Sequence, residues 1–129
     1  MKCLTTASER RAIWHAIEEK YLPWRDYDGN KFLEEGGFWM QKQHIFMYPF
    51  YYIDYALAQV CAFQFYVKSL ENKEQAWNDY LTLCKAGGSQ GYFSLLKLAK
   101  LDNPFEEGTV KKVVDEVVKQ IEVLKEKIK

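Results

Sequence analysis

Cysteine is scarce in this sequence and poorly placed for cross-linking. Cys3, Cys61 and Cys84 are odd in number and far apart, which excludes a disulfide framework or a paired-cysteine zinc knuckle. They read as packing residues in a reducing compartment, with Cys61 a buried free thiol inside an apolar run. Long hydrophobic runs are missing too: no stretch of about 18 apolar residues occurs, so no spanning helix is expected. The opening MKCLTTASERR puts charge where a secretory signal needs an apolar stretch, so a cytoplasmic location is expected. An excess of either charge is also absent. Lys+Arg and Asp+Glu are both 18, so the net charge is zero. The chain has no general electrostatic pull on nucleic acid or anionic membrane, and neither is an expected partner. Repeats, low-complexity tracts and linkers are lacking, so residues 1–129 read as a single helical domain.

Aromatic residues, by contrast, are abundant. Four Trp, nine Tyr and eight Phe make up 16% of the 129 residues and crowd into the first half.

The pattern predicts an all-α fold of about five helices. Thr6 with Glu9 three residues on is a capping-box pair, and Ile13, Trp14, Ile17 and Tyr21 follow at helical spacing until Pro23. Residues 24–30, WRDYDGN, are turn chemistry with Asp-Gly at 28 and 29. A helical turn at 31–35 ends at Gly36 and Gly37, while residues 38–47 fit no single pattern. Pro49 suits the first turn of a helix. From Phe50 to about Leu70 the chain is apolar nearly all round, the mark of a buried helix. Asn72 caps the next helix, with Gln75 at the capping-box position. That helix runs to about Ala86 with Ala76, Tyr80, Leu83 and Cys84 inward, and Gly87 is its stop. Ser89 opens a short helix through Leu101. Thr109 caps the last one, whose Val110, Val113, Val114, Val117, Val118, Ile121, Leu124 and Ile128 form an apolar stripe.

Motifs for chemistry are few. His15 is followed by Glu18 at the third position and by no second histidine, so HAIEEK is not a zinc-binding HExxH helix. The glycine-rich GGSQG at 87–91 has no Walker lysine and reads as a helix stop followed by a new cap. His44 is the more informative histidine. It precedes a loop, 45–49, and then the aromatic helix. There Tyr52 and Tyr55, three apart, share a face, and Tyr51 and Tyr55, four apart, are neighbours. Phenol and imidazole donors can stabilise an oxyanion. The same spacing also describes an aromatic core helix. Asp54, an acid among aromatics, must be paired or face a wet cleft.

The segment GGFWMQKQHIFMYPFYYIDYALAQ (36–59) resembles the carboxy-terminal part of oligoendopeptidase F, of the thimet-oligopeptidase-like family of zinc metallopeptidases. The resemblance takes in EKYLPWRDYDGNKFLEEGG (19–37) and, more weakly, CKAGGSQGYFSLLKLAKLDNPFEEGTV (84–110). It implies a helical catalytic subdomain closing over a channel in which oligopeptides are hydrolysed. It further implies that His44, Tyr52 and Tyr55 are catalytic donors to the tetrahedral oxyanion. Tyr51 stands as the alternative to Tyr52, and Tyr48 is a further donor; both are assigned to substrate binding. Zinc is implied for the intact family enzyme. This chain carries no HExxH and no third zinc ligand, so it is expected to hold no metal and to be inactive alone. It then reads as a peptidase fragment, a truncated gene product or a family remnant. The alternative function is a catalytically inert helical module with a structural or oligomerising role, a homodimer being the simplest cover for its apolar faces.

Overall fold

The computed structural model describes residues 6–128, so Cys3 lies outside the described residues. Every regular element among the described residues is helical, as the sequence predicts. The chain forms two compact units, Met1–Tyr52 and Ile53–Lys129.

The first unit opens with α1, Ala7–Tyr21. Its capping box forms as the sequence predicts: the Glu9 N–H donates to Thr6 Oγ1 at 3.2 Å, and the Glu9 carboxylate accepts from the Thr6 N–H. The turn after α1 has positive φ at Asp28 and Gly29, and the Asn30 N–H donates to the Tyr27 carbonyl at 3.0 Å. Asp tolerates this left-handed geometry and Gly adopts it freely. A π-helical stretch, Leu33–Gly37, runs directly into a 3₁₀ turn, Phe38–Gln41. The backbone leaves helical geometry at Gly36, φ +88°, so the turn expected at 31–35 does end at the glycines and the chain kinks there. A β-carbon on Gly36 would lie 2.1 Å from the Arg11 carbonyl oxygen of α1. The glycine lets two backbones meet. A five-residue helix α2, Gln43–Met47, follows.

The second unit packs α3 (Ile53–Glu71) against α4 (Lys73–Ala86) and α6 (Thr109–Ile128), with α5 (Tyr92–Leu98) against α4. Helix α3 starts at Ile53 rather than Phe50. The Tyr51 N–H closes a turn onto the Tyr48 carbonyl at 3.1 Å and keeps residues 48–52 out of the helix. Asn72 caps α4 through the Gln75 N–H at 3.0 Å. Gly91, not Ser89, precedes the first residue of α5, and Thr109 is itself the first residue of α6.

The core is small: Leu96, Ala99 and Leu101 are buried, with Cys61, Phe65, Leu83 and Tyr92 packed on them. Cys61 is a part-buried thiol, 3.8 Å from the Tyr92 hydroxyl, and burial raises that phenol's pKa. Two polar clasps tie the unit together. Gln64 of α3 donates to the Asp102 carbonyl at 3.0 Å and accepts from the Asp102 N–H at 2.7 Å. Asp79 of α4 accepts from Lys68 at 2.7 Å, Lys100 at 2.8 Å and Gln75 at 2.9 Å. Lys68 also donates to the Ala99 and Lys100 carbonyls, each at 3.2 Å, so its three protons are all used.

The expectation that the aromatic helix is buried fails. Along α3 only Gln64 is buried, while Ile53, Tyr55, Tyr66 and Leu70 are 40–54% exposed. Two small units hold too little chain to cover a 19-residue helix on every side. On α4, Ala76 is inward as expected, but Cys84 is exposed. Most of the α6 stripe is half-exposed, Val113 being its buried member.

Candidate functional site

The aromatic cluster of the first unit is built by α2 and the turn after it. Residues 45–47, expected in a loop, belong to α2, so His44 sits on a helix and its carbonyl receives the Tyr48 N–H at 3.0 Å. A five-residue helix carries no periodicity to read, which is why the sequence was ambiguous there.

The turn folds Tyr51 and Tyr52 back onto the histidine. The His44 ring stacks on Tyr51 with centroids 5.8 Å apart and meets Tyr52 tilted at 5.2 Å. Tyr48 approaches Tyr51 edge-on at 6.1 Å. His44 is half-buried, whereas Tyr51 and Tyr52 remain 43% and 49% exposed. The arrangement thus brings an imidazole and phenol hydroxyls, groups able to donate hydrogen bonds, to one surface. The first unit therefore brings His44, Tyr48, Tyr51 and Tyr52 together. Tyr55 lies in the first turn of α3, in the second unit. Tyr52 precedes that helix, so the helical face expected for Tyr52 and Tyr55 does not include Tyr52. Asp54 is exposed at the helix start, where a carboxylate is favoured by the first-turn N–H groups.

Neighbouring aromatics brace the cluster. Trp39 stacks on Phe46 of α2 at 5.5 Å, and the Phe38 ring has the Arg25 guanidinium at 4.4 Å and the Lys42 ammonium at 4.6 Å. Cations over an aromatic face are attracted by the ring quadrupole.

The sequence reading passed over Glu18, which is buried on α1. It accepts from Tyr27 at 2.5 Å and from Arg25 at 3.2 Å. These three line a cavity of about 470 Å³ with Trp24 and His15. The detectable signal was an acid four residues after Trp14, one turn along the same face of α1. His15 is exposed and lies 3.5 Å from Glu19. Among the described residues no group of three His, Cys, Asp or Glu side chains is arranged to hold a metal ion. The residues present therefore do not fit a catalytic zinc site, which needs three protein ligands.

No protein-family model and no curated protein matches the chain. Solved structures do, and they are peptidases. A structure of PZ peptidase A with an inhibitor is 55% identical over 85% of this chain, with a TM-score of 0.75. A 3.1 Å structure titled as an oligoendopeptidase F is 47% identical over 92% of the chain, with a TM-score of 0.81. One from Bacillus anthracis strain Ames, titled likewise, is 38% identical over 93%, with a TM-score of 0.67. The fold is thus that of a helical segment of a peptidase. More particularly, over nearly all its length the chain is similar to the carboxy-terminal part of oligoendopeptidase F. It spans 20%, 21% and 18% of those three structures.

Proposed function

We propose that this chain forms one wall of the catalytic channel of a metalloendopeptidase acting on short oligopeptides. In this reading His44, Tyr52 and Tyr55 donate hydrogen bonds to the oxyanion of the tetrahedral intermediate, and Tyr48 and Tyr51 contact the peptide. The observation that carries it is the His44–Tyr52 pair, with ring centroids 5.2 Å apart and Tyr52 half-exposed, in a segment similar to peptidases.

The reaction converts a neutral carbonyl into an oxyanion. Donors aimed at that oxygen strengthen as charge develops, so they stabilise the transition state more than the bound substrate. The helical seat of His44 and the turn that holds Tyr52 fix both donors before the reaction starts. Zinc, which the resemblance implies for the intact enzyme, would be held by residues outside this chain, and the donor role does not require these residues to touch it.

The test is substitution in an oligoendopeptidase F whose counterpart segment is replaced by this chain. Tyr52→Phe keeps the ring and deletes the hydroxyl. It should lower kcat by roughly 100- to 1,000-fold, about 2.7–4 kcal/mol, with KM within a few-fold. His44→Ala should act alike, and Tyr66→Phe on α3 should be nearly silent. Near-normal kcat in both Tyr52→Phe and Tyr55→Phe would refute the donor role. The second reading, an inert structural or oligomerising module, is favoured by the half-exposed apolar stripe of α6 and would then stand.

A further inference from the structure

Residues 48–51 form a turn closed by the Tyr51 N–H on the Tyr48 carbonyl at 3.1 Å, with Pro49 at its second position and Phe50 at its third. Phe50 has φ +67°. Proline second and positive φ third is the pattern of a type II turn, whose third position is ordinarily glycine. A bulky side chain there sets its β-carbon against the following carbonyl and is a genuine outlier.

The chain uses glycine at its other strained positions, or a residue with a visible return. Gly29, Gly36, Gly87 and Gly108 take positive φ. Asp28 belongs to a residue type that tolerates the region. Lys100, at φ +54°, gains a bond to Asp79. Phe50 has no such return. It is 94% exposed, the most exposed large apolar side chain among the described residues. The fold therefore bears backbone strain and an unburied ring at the same residue. Strain that persists without internal compensation points to a functional contact. The ring also precedes Tyr51 and Tyr52, the residues that gather round His44.

We propose that Phe50 is an apolar subsite of the peptide channel, placed by its strained turn to bury an aliphatic or aromatic substrate side chain flanking the scissile bond. The inference rests on the function proposed above, and names the substrate feature that this wall reads. A flat, rigid ring on a closed turn is already positioned and loses little freedom on contact. It discriminates by apolar area, so it favours leucine or phenylalanine over serine.

Two measurements test it. In this chain by itself, Phe50→Gly relieves the strain and should raise the thermal midpoint by about 4 °C. A lower midpoint would show that the ring packs structurally and would overturn the proposal. In the segment-replaced oligoendopeptidase, kcat/KM is measured on two peptides of equal length, with Leu or Ser beside the scissile bond. Phe50→Gly should cut kcat/KM on the Leu peptide by roughly 10- to 100-fold and leave the Ser peptide within a few-fold. Phe50→Leu should keep most of the preference. Equal losses on both peptides, or no loss, would overturn the subsite. Tyr52→Phe lowers kcat on both peptides alike. A silent Phe50→Gly beside an effective Tyr52→Phe therefore removes only the subsite, and silence of both Tyr52→Phe and Tyr55→Phe removes the donor reading. A segment-replaced enzyme inactive on both peptides overturns both.

Discussion

Asp79 of α4, 4% exposed, receives the Lys68 ammonium of α3 at 2.7 Å. With Lys100 on its other oxygen at 2.8 Å, the carboxylate joins α3, α4 and the chain leaving α5 at one point. Hydrogen bonds from Lys100 and then Lys68 hold its pKa well below the usual carboxylate range. A carboxyl lowered by folding stabilises the native state above its unfolded pKa, about 3.9, and that stabilisation is lost as the pH falls through the folded value.

The chain should therefore lose stability progressively on acidification below about pH 4. Asp79→Asn should be less stable than the native chain at pH 7, because two ammonium groups lose their counter-charge. It should also show a flatter acid dependence. Urea melts at pH 7 and at a series of lower pH values check both. An unchanged acid slope in Asp79→Asn would place the dependence elsewhere.

At Gly36 the fold tolerates no side chain. A β-carbon would press on the Arg11 carbonyl, and the φ of +88° is itself unfavourable for any other residue. Gly36→Ala should destabilise the first unit by on the order of 3 kcal/mol. Gly29→Ala, at φ +77° but with open space around it, should cost about 1 kcal/mol from backbone strain alone. Denaturant melts of the two variants separate clash from strain.

Val118, Ile121, Leu124 and Ile128 leave one side of α6 apolar and uncovered, Ile128 at 85% exposure. An apolar patch beyond a few hundred Å² is normally a contact surface. The isolated chain should self-associate at high micromolar concentration, and Ile121→Asp with Leu124→Asp should return it to monomer. Light scattering decides. A strictly monomeric native chain would mean that the stripe is tolerated as surface.

The isolated chain should neither retain zinc after mild chelation nor cleave oligopeptides. His15 lies on α1 and His44 on α2, and two histidines without a carboxylate partner set do not complete a three-ligand site. Elemental analysis after dialysis, and a chelator-sensitive peptidase assay, are the checks. Stoichiometric zinc would reveal a ligand set that the sequence does not suggest.

Much of the fold was legible where local chemistry decides it. Thr6 with Glu9 and Asn72 with Gln75 mark helix starts because a side-chain oxygen near an orphan N–H is sufficient. The valine repeat of 110–128 marks α6 for the same local reason. What was misread depended on distant contacts. Pro49 followed by an apolar run looks like a helix opening, yet the turn closed by Tyr51 holds the start back to Ile53. Gly36 does end a helical turn, as the sequence suggested, but nothing local signals that α1 passes against it. Burial of α3 was overestimated because composition states what a helix could cover, not how much chain is there to cover it. Of the candidate site, His44 and the tyrosines stood out in the sequence as an imidazole and phenols close along the chain. Their gathering around one imidazole was not, because it follows from the turn and not from helical spacing.

The double clasp of Gln64 on Asp102 gives the loop after α5 a backbone N–H with a 2.7 Å acceptor carried on a buried side chain of α3. Solvent reaches that amide only when α3 and the loop separate. Its deuterium uptake should be slow for a residue outside any helix, and should report the opening of the whole second unit and not the fraying of its own loop.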